Sequence, residues 1–226
     1  MKNNVIISWS SGKDSTLVLE RLRDNPEFNV VALYTTYVKD EVSFQATPLH
    51  VLDMQAQLLQ LPLIKVELPE TFPPNEVYQP RIVESLKASG IEIDAVAFGD
   101  MFCNGIADYR RSYIEPAGWQ CLFPLMGEES EKLAQEILQR GIKTLVVTTD
   151  GNALSQQFCG QWYSQEFLTA LPDNVDPCGE NGEFHTLVTQ TRSYQGCIEV
   201  TPTHMDSDGR FSYQRYTAKR LPKAPN

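Results

Sequence analysis

The sequence predicts an α/β fold with a parallel sheet, followed by a smaller α+β region. Apolar, β-branched runs alternate with helical patterns through the first part of the chain, as expected for parallel strands joined by right-handed crossovers. The later part is rich in loops and ends in three strand-like runs. We therefore predict one domain over residues 1–125 and a second over residues 126–226.

The first domain is predicted to contain five strands. They are the apolar run at residues 5–7 and the segments "NVVALYTT" (29–36), "LIKVEL" (63–68), "DAVAFGD" (94–100) and "CLFPL" (121–125). A helix follows Gly12, and a second is predicted to use Thr47 as its cap and Pro48 as its first residue. A third contains Pro80, near its start or at a kink, and ends at Gly90.

The second domain begins with a predicted helix, "EESEKLAQEILQRG", which Gly141 ends. The strand "KTLVVTT" follows it directly. After a long loop region, the remaining predicted strands are "FHTLVTQT", "GCIEVTP" and "FSYQRYTA".

Composition excludes several classes of function. The 226 residues include 19 Lys and Arg against 29 Asp and Glu, a net charge of −10, which makes nucleic acid an unlikely partner. No apolar window is long enough to span a membrane, and the sequence has no signal-peptide pattern. Dispersed cysteines without a CxxC pair indicate reduced thiols in the cytoplasm: Cys103, Cys121, Cys159, Cys178 and Cys197.

The segment "SSGKDS", residues 10–15, lies where the first strand gives way to the first helix. Unpaired backbone N–H groups and the helix dipole favour an anion at such a helix N-terminus. The segment does not fit a Walker loop, because Ile7 stands where that motif needs glycine and Asp14 where it needs Ser or Thr. The alternative is that Ser10, Asp14 or Ser15 merely caps the helix.

Three segments together resemble a known family. "SSGKDS" resembles the PP-loop of the N-type ATP pyrophosphatases, usually written SGGKDS, with Ser11 in place of the second glycine. "FGDMFCNGIADYRRSYIEPAGWQCLFPL" (98–125) is similar to the GD…R…E…PL block of the diphthine–ammonia ligase family. "DPCGENGEFHT" (176–186) resembles that family's second-domain signature, most closely in its bacterial branch. The resemblance implies an adenine-nucleotide α-hydrolase-like (HUP) first domain.

The resemblance also implies the chemistry. ATP, with Mg²⁺, would lose pyrophosphate as a carboxylate on a small molecule or protein is adenylated, and ammonia or an amine would then displace AMP. The residues implied to bind ATP are Ser10, Ser11, Gly12, Lys13, Asp14, Ser15, Thr35, Gly99 and Asp100, with Asp14 holding the metal. The implied catalytic residues are Lys13, Asp14, Asp100, Glu183 and His185. The implied substrate-binding residues are Arg110, Arg111, Glu115, Glu180, Gly182, Glu183 and His185.

Each of these assignments has a simpler structural alternative. Lys13 is expected at a partly exposed helix start, as a cation beside phosphate. Asp100 could be a helix-entry residue, and Arg111 with Glu115 an ordinary i,i+4 surface pair, although we expect at least one arginine of this segment to bind phosphate or a carboxylate.

The carboxylates of the second-domain signature favour a cationic partner. Glu180 and Glu183, together with His185, are expected to face the acceptor or ammonia across a cleft, because carboxylates repel a triphosphate. The alternative is that the two glycines of this segment simply form a turn and that His185 is structural.

Two other functions stay open from the sequence. One is sulfur transfer to tRNA by a PP-loop enzyme, which would need a cysteine relay and a basic face. The other is nucleotide binding without chemistry. A homodimer is not excluded.

Overall fold

A computed structural model describes residues 2–42, 45, 47–102 and 104–223. Its first half consists of β1 (Asn3–Ser8), α1 (Lys13–Asp24), β2 (Phe28–Tyr37), β3 (Glu41–Val42), β4 (Thr47–Pro48), α2 (Leu49–Leu59), β5 (Leu63–Glu67), α3 (Asn75–Ala88), β6 (Ala95–Ala97), α4 (Ile106–Ile114) and β7 (Gln120–Leu122). One turn of 3-10 helix, Glu115–Ala117, connects α4 to β7.

The predicted α/β class is confirmed. Within the described residues, five parallel strands form the central sheet in the order β5-β2-β1-β6-β7. The chain moves from β1 to one side for β2 and β5, and to the other side for β6 and β7. The carboxyl ends of β1 and β6 therefore flank a switch point, where open α/β sheets bind their ligands.

The predicted cap of α2 is wrong in one detail. Thr47 and Pro48 form β4, a two-residue strand paired with β3, and Pro48 rather than Thr47 precedes the first helical residue. The Thr47 hydroxyl accepts a hydrogen bond of 3.1 Å from Ser11 Oγ, so it supports the turn after β1 instead of the helix.

The glycine predicted at the end of α3 is confirmed, since Gly90 follows the helix with φ of 68°. Pro80 lies inside the helix and not at its first turn.

The second half consists of α5 (Ser130–Gln139), β8 (Lys143–Asp150), α6 (Gln165–Ala170), β9 (Phe184–Gln190), β10 (Gly196–Ser207) and β11 (Phe211–Pro222). Among the described residues, its strands form a four-stranded antiparallel sheet in the order β10-β11-β8-β9. This is the predicted smaller α+β part.

The two halves share one continuous hydrophobic core. Val5 of β1 and Leu17 of α1 belong to the same cluster of buried side chains as Leu145 of β8 and Leu187 of β9. Helix α1 contacts β1 and β2 on one side and β9 of the other half. A second cluster of buried side chains, which includes Ile6 and Ile82, lies in the first half alone. The boundary near residue 126 stays a prediction, but one of the two clusters spans both halves.

The turn after β1 contains a strained residue. Ser11 has φ of 74°, in the left-handed region where a side chain is costly. The Ser11 carbonyl oxygen accepts hydrogen bonds from Val188 N at 3.0 Å and from Gln55 Nε2 at 3.1 Å. Contacts from β9 and α2 therefore hold this backbone conformation in place.

Because of the positive φ at position 11, we expect a glycine variant to be more stable than an alanine variant there, the reverse of the order inside a helix. Ser11→Gly should be more stable than Ser11→Ala by about 1 kcal/mol, because both lose the Thr47 hydrogen bond and only glycine relieves the positive φ. Chemical denaturation of both variants measures this difference. The matched control is Ser85 inside α3, where Ala should be the more stable replacement by about 1 kcal/mol. The same order at both positions would contradict the interpretation.

Candidate active site

A cavity of about 320 Å³ opens at the switch point of the central sheet, between the two halves of the chain. The carboxyl ends of β1 and β6 form one wall, and the segment before β9, with the start of β9, forms the other. Many of the residues predicted from sequence meet there: Ser10, Gly12, Lys13, Asp14, Ser15, Gly99, Asp100, Arg110, Glu180, Gly182 and His185.

The loop at the start of α1 has the form expected of an anion site. Gly12 caps the helix with an extended backbone, and no side chain takes the cap position. The alternative in which Asp14 caps the helix is therefore wrong. A Cβ atom on Gly12 would lie 3.0 Å from Thr186 Oγ1, so the close approach of β9 requires glycine at this position.

Lys13 is buried, and the expectation of a partly exposed side chain is wrong. Only 2% of its side chain is accessible, because the ammonium group donates to Asp14 at 2.9 Å and to the Cys178 carbonyl oxygen of the second half. Burial alone would lower the pKa of Lys13, but Asp14 and other neighbours raise it above its ordinary value. The ammonium group is thus charged and faces the cavity.

The two carboxylate oxygens of Asp14 differ in their hydrogen bonding. Its Oδ2 atom accepts from Lys13, whereas its buried Oδ1 atom has no hydrogen-bond partner among the described residues. A buried carboxylate oxygen without a partner is costly unless a ligand completes it. Asp14 also lines the cavity, so its carboxylate group is a candidate metal ligand.

The structure separates the two neighbouring arginines. Arg110 lines the cavity, donates to Asp100 Oδ2 at 3.2 Å and stacks on the ring of Phe98, 4.8 Å from its centroid. Arg111 is 46% exposed and pairs with Asp108 and Glu115, as in the surface-pair alternative.

The Arg110 guanidinium keeps its charge despite burial. Burial would lower its pKa, but Asp100 and the neighbouring tyrosines Tyr78 and Tyr113 raise it well above the ordinary value. The hydroxyls of these two tyrosines each lie 3.3 Å from Nη1. Nη2 has no hydrogen-bond partner among the residues that the structure describes, so it can bind a ligand in the cavity.

Glu183 does not face the cavity, and its predicted position opposite an acceptor is wrong. Its buried carboxylate accepts hydrogen bonds of 3.0 Å from Asp176 N, Asn181 N and Asn181 Nδ2. Glu183 therefore closes the loop in front of β9. Gly179 and Gly182 both have positive φ in this loop, as the turn alternative predicts.

Glu180 is the carboxylate of this loop that does line the cavity. Its Oε1 atom accepts from Met101 N of the first half at 2.9 Å. Burial raises the pKa of Glu180 to about 7, with the charges of Asp14 and Asp100 acting in the same direction. This carboxyl group can therefore exchange a proton near neutral pH.

His185 lines the cavity as a neutral ring. Burial, together with the nearby charge of Lys13, lowers the pKa of His185 to about 4. At neutral pH the imidazole can donate or accept a hydrogen bond but adds no positive charge.

Several predicted residues do not line the cavity: Ser11, Thr35, Arg111, Glu115 and Glu183. Thr35 is buried within β2, where it pairs with Lys65 of β5. The sequence reasoning also missed lining residues: Ser8, Gln45, Phe98, Cys178, Gly179, Phe184 and Thr186. The quoted segments 98–125 and 176–186 already contain five of these residues. Their position close to charged residues of the motifs could have identified them as lining residues.

The four cysteines in the described ranges do not form a relay at the cavity. Cys178 is the one described thiol that lines the cavity, and burial raises its pKa to about 12, so it is protonated at neutral pH. Cys103 lies outside the described residues. No group of three or more His, Cys, Asp and Glu side chains in the described ranges is suited to hold a metal ion. In the same ranges, no helix combines the length and the apolar character needed to cross a bilayer.

Two family models match this chain in the order in which its two halves occur. The model for the N-terminal domain of diphthamide synthase matches residues 1–118, and the model for its C-terminal domain matches residues 129–219. The chain belongs to the diphthamide synthase family. The resemblance seen in the three sequence segments is therefore confirmed, and with it membership of the PP-loop, ATP-utilising proteins.

Comparisons beyond the diphthamide synthase family are distant. None of the curated proteins matches the chain. Among solved structures, the U34-tRNA thiolase NcsA from Methanococcus maripaludis with its [4Fe-4S] cluster is similar at a TM-score of 0.40 and 18% identity. The likeness covers 61% of this chain and 57% of the thiolase chain.

Proposed function

We propose that this diphthamide synthase family protein is an ATP-dependent ligase that adenylates a carboxylate, releases pyrophosphate and then forms an amide with ammonia or an amine. The observation that carries the proposal is the cavity itself. In it, the N-terminus of α1, the guanidinium of Arg110 and the carboxyl group of Glu180 converge from two halves of the chain. These groups suit a polyphosphate, a carboxylate and an ammonium ion respectively.

The N-terminus of α1 suits the phosphates that leave. Backbone N–H groups of the loop and the helix dipole stabilise negative charge, and the charged ammonium of Lys13 lies beside them. As the bond between the α- and β-phosphates breaks, charge accumulates on pyrophosphate. Donors that are already oriented stabilise this charge without reorganisation.

Asp14 fits a magnesium ion that arrives with ATP. Mg²⁺ is commonly held by one or two carboxylates together with substrate phosphates, and Asp14 Oδ1 is an unpartnered carboxylate oxygen. When bound, the ion would supply positive charge to the phosphates as pyrophosphate leaves.

Arg110 suits the carboxylate that attacks ATP. A guanidinium binds a carboxylate through charge-assisted hydrogen bonds, and Nη2 is the nitrogen of Arg110 without a partner among the described residues. A carboxylate oxygen held there would attack the α-phosphorus, forming the acyl–adenylate as pyrophosphate departs. Positioning of this kind supplies a large part of the rate increase in such reactions.

Glu180 suits the nitrogen donor. An ammonium ion has no lone pair until it loses a proton, and a carboxylate with a pKa of about 7 can accept that proton. Ammonia then attacks the acyl carbon, the bond to AMP breaks, and the amide nitrogen loses its extra proton. Asp14 and Asp100, together with Glu180, attract the cation to the same cavity. The acidic composition and dispersed thiols suit action in the cytoplasm.

A product analysis tests the proposal. We expect AMP and pyrophosphate to accumulate when the protein is incubated with Mg²⁺·ATP, ammonium and a panel of carboxylates. The control is Asp14→Asn, which should lose this activity because it weakens the metal ligand. ADP and phosphate as sole products would reject the adenylation chemistry. Absence of both AMP and ADP across the panel would favour a nucleotide-binding protein without chemistry.

A further inference from the structure

Strand β9 of the second half directly contacts the start of α1 in the first half. Thr186 Oγ1 in β9 accepts a hydrogen bond of 3.2 Å from Lys13 N, the first N–H of α1. The Thr186 side chain is only 3% exposed, yet it lines the cavity. A buried polar side chain of the second half thus lies at the anion-binding end of the helix.

The Thr186 hydroxyl has an unused donor. A hydroxyl group accepts through its lone pairs and donates one hydrogen, and Thr186 accepts from Lys13 N. Within the described residues, its hydrogen has no recorded acceptor. A phosphate oxygen that approaches the N–H groups of α1 comes within reach of this hydroxyl, because Thr186 Oγ1 lies 3.2 Å from Lys13 N and both residues line the cavity.

We propose that Thr186 binds the polyphosphate of ATP, so that the second half of the chain takes part in nucleotide binding and not only in binding the acceptor. This inference rests on the proposed function for the site but concerns a different step. It revises the division of labour expected from sequence, in which ATP belongs to the first domain alone. The neighbouring carboxylate Glu183 lies away from the cavity, so of the two carboxylates expected to repel a triphosphate only Glu180 lines it.

The alternative is that Thr186 only docks β9 against α1. A nucleotide series separates the two roles, because a phosphate contact affects ATP and leaves adenosine unchanged, whereas loss of docking affects both. The probes are Mg²⁺·α,β-methylene-ATP and adenosine, titrated into the full chain by calorimetry. The variant is Thr186→Val, which keeps the shape and removes the hydroxyl. Thr189→Val is the matched control, since Thr189 lies on the same strand, is equally buried and donates to the Lys143 carbonyl outside the cavity.

We expect Thr186→Val to bind the ATP analogue about tenfold more weakly, with adenosine affinity unchanged. Thr189→Val should bind both ligands like the wild type. An unchanged affinity for the ATP analogue, or an equal loss for both ligands, would overturn the inference. If Thr186→Val does not fold, the pair Thr186→Ser and Thr186→Ala repeats the comparison with and without the hydroxyl. Failure of the wild type to bind either probe would instead overturn the proposed function, and this inference with it.

Discussion

Arg110→Gln should lower the rate of AMP formation by about 10²–10³-fold. Arg110 is the arginine on the cavity wall, and glutamine removes both its charge and the Nη2 donor that would bind a carboxylate. The assay is AMP release with Mg²⁺·ATP, ammonium and the carboxylate that gives the highest turnover in the wild type. Arg110→Lys should recover part of the loss, because it restores the charge but not the planar guanidinium group or its stacking on Phe98.

Arg111→Gln is the control for this prediction. The two arginines are adjacent on α4, yet Arg111 is 46% exposed, pairs with surface carboxylates and stacks on Phe123, away from the cavity lining. Its replacement should leave AMP formation within about twofold of the wild type, since surface substitutions have small effects. Equal activities of Arg110→Gln and the wild type would remove Arg110 from the mechanism. Equal losses in the two variants would point to a general disturbance of α4.

Glu20→Gln should destabilise the protein by about 3 kcal/mol, which corresponds to a fall of about 6–12 °C in Tm. Glu20 lies on α1 and its side chain is fully buried. It accepts from Arg192 Nε at 2.8 Å, from the Thr191 hydroxyl and from Arg140 Nη1 at 3.4 Å. Because α1 belongs to the first half and these partners to the second, the carboxylate joins the two halves.

Asp53→Asn is the control variant for Glu20→Gln. It also removes a carboxylate from an ion pair, but Asp53 and Lys65 are 41% and 35% exposed, and the expected loss is below about 1 kcal/mol. Thermal unfolding followed by circular dichroism measures both variants. A single cooperative transition in Glu20→Gln would show that the halves still unfold together. Stability equal to that of Asp53→Asn would contradict the role of Glu20 as a buried link.

Much of the secondary structure follows from local patterns. The strand–loop–helix unit from β1 to α1, the glycine after α3 and the antiparallel strands at the end of the chain are all visible as apolar runs with their stop signals. These features depend on neighbouring residues, so a sequence pattern is sufficient. The predicted cap of α2 was wrong because of a contact between residues far apart in the sequence. Thr47 has a suitable side chain for capping, but its hydroxyl is engaged by Ser11, 36 residues away.

In the candidate site, too, the sequence identified some features and the packing decided others. The family motifs identified from sequence brought the PP-loop, Asp100, Arg110 and Glu180 into one hypothesis, and these residues share one cavity. Local spacing did not distinguish Arg110 from Arg111 or Glu180 from Glu183, because either member of each pair can face a ligand in an isolated helix or turn. Packing made the choice: Phe98 and Asp100 hold Arg110 at the cavity, and the loop amides turn Glu183 away from it.

By itself, the sequence determined the α/β class, the order of the five central strands along the chain and the family to which the motifs belong. It did not predict β3, β4 or α6. Only the tertiary structure decided that Lys13 is buried, that Thr186 reaches the start of α1 and that both halves share one core. Motifs record which chemical groups are present and how they are spaced along the chain. Burial and contact depend on segments far apart in the sequence. Lys13 and Thr186, for example, are 173 residues apart and become neighbours only when the antiparallel sheet packs against α1.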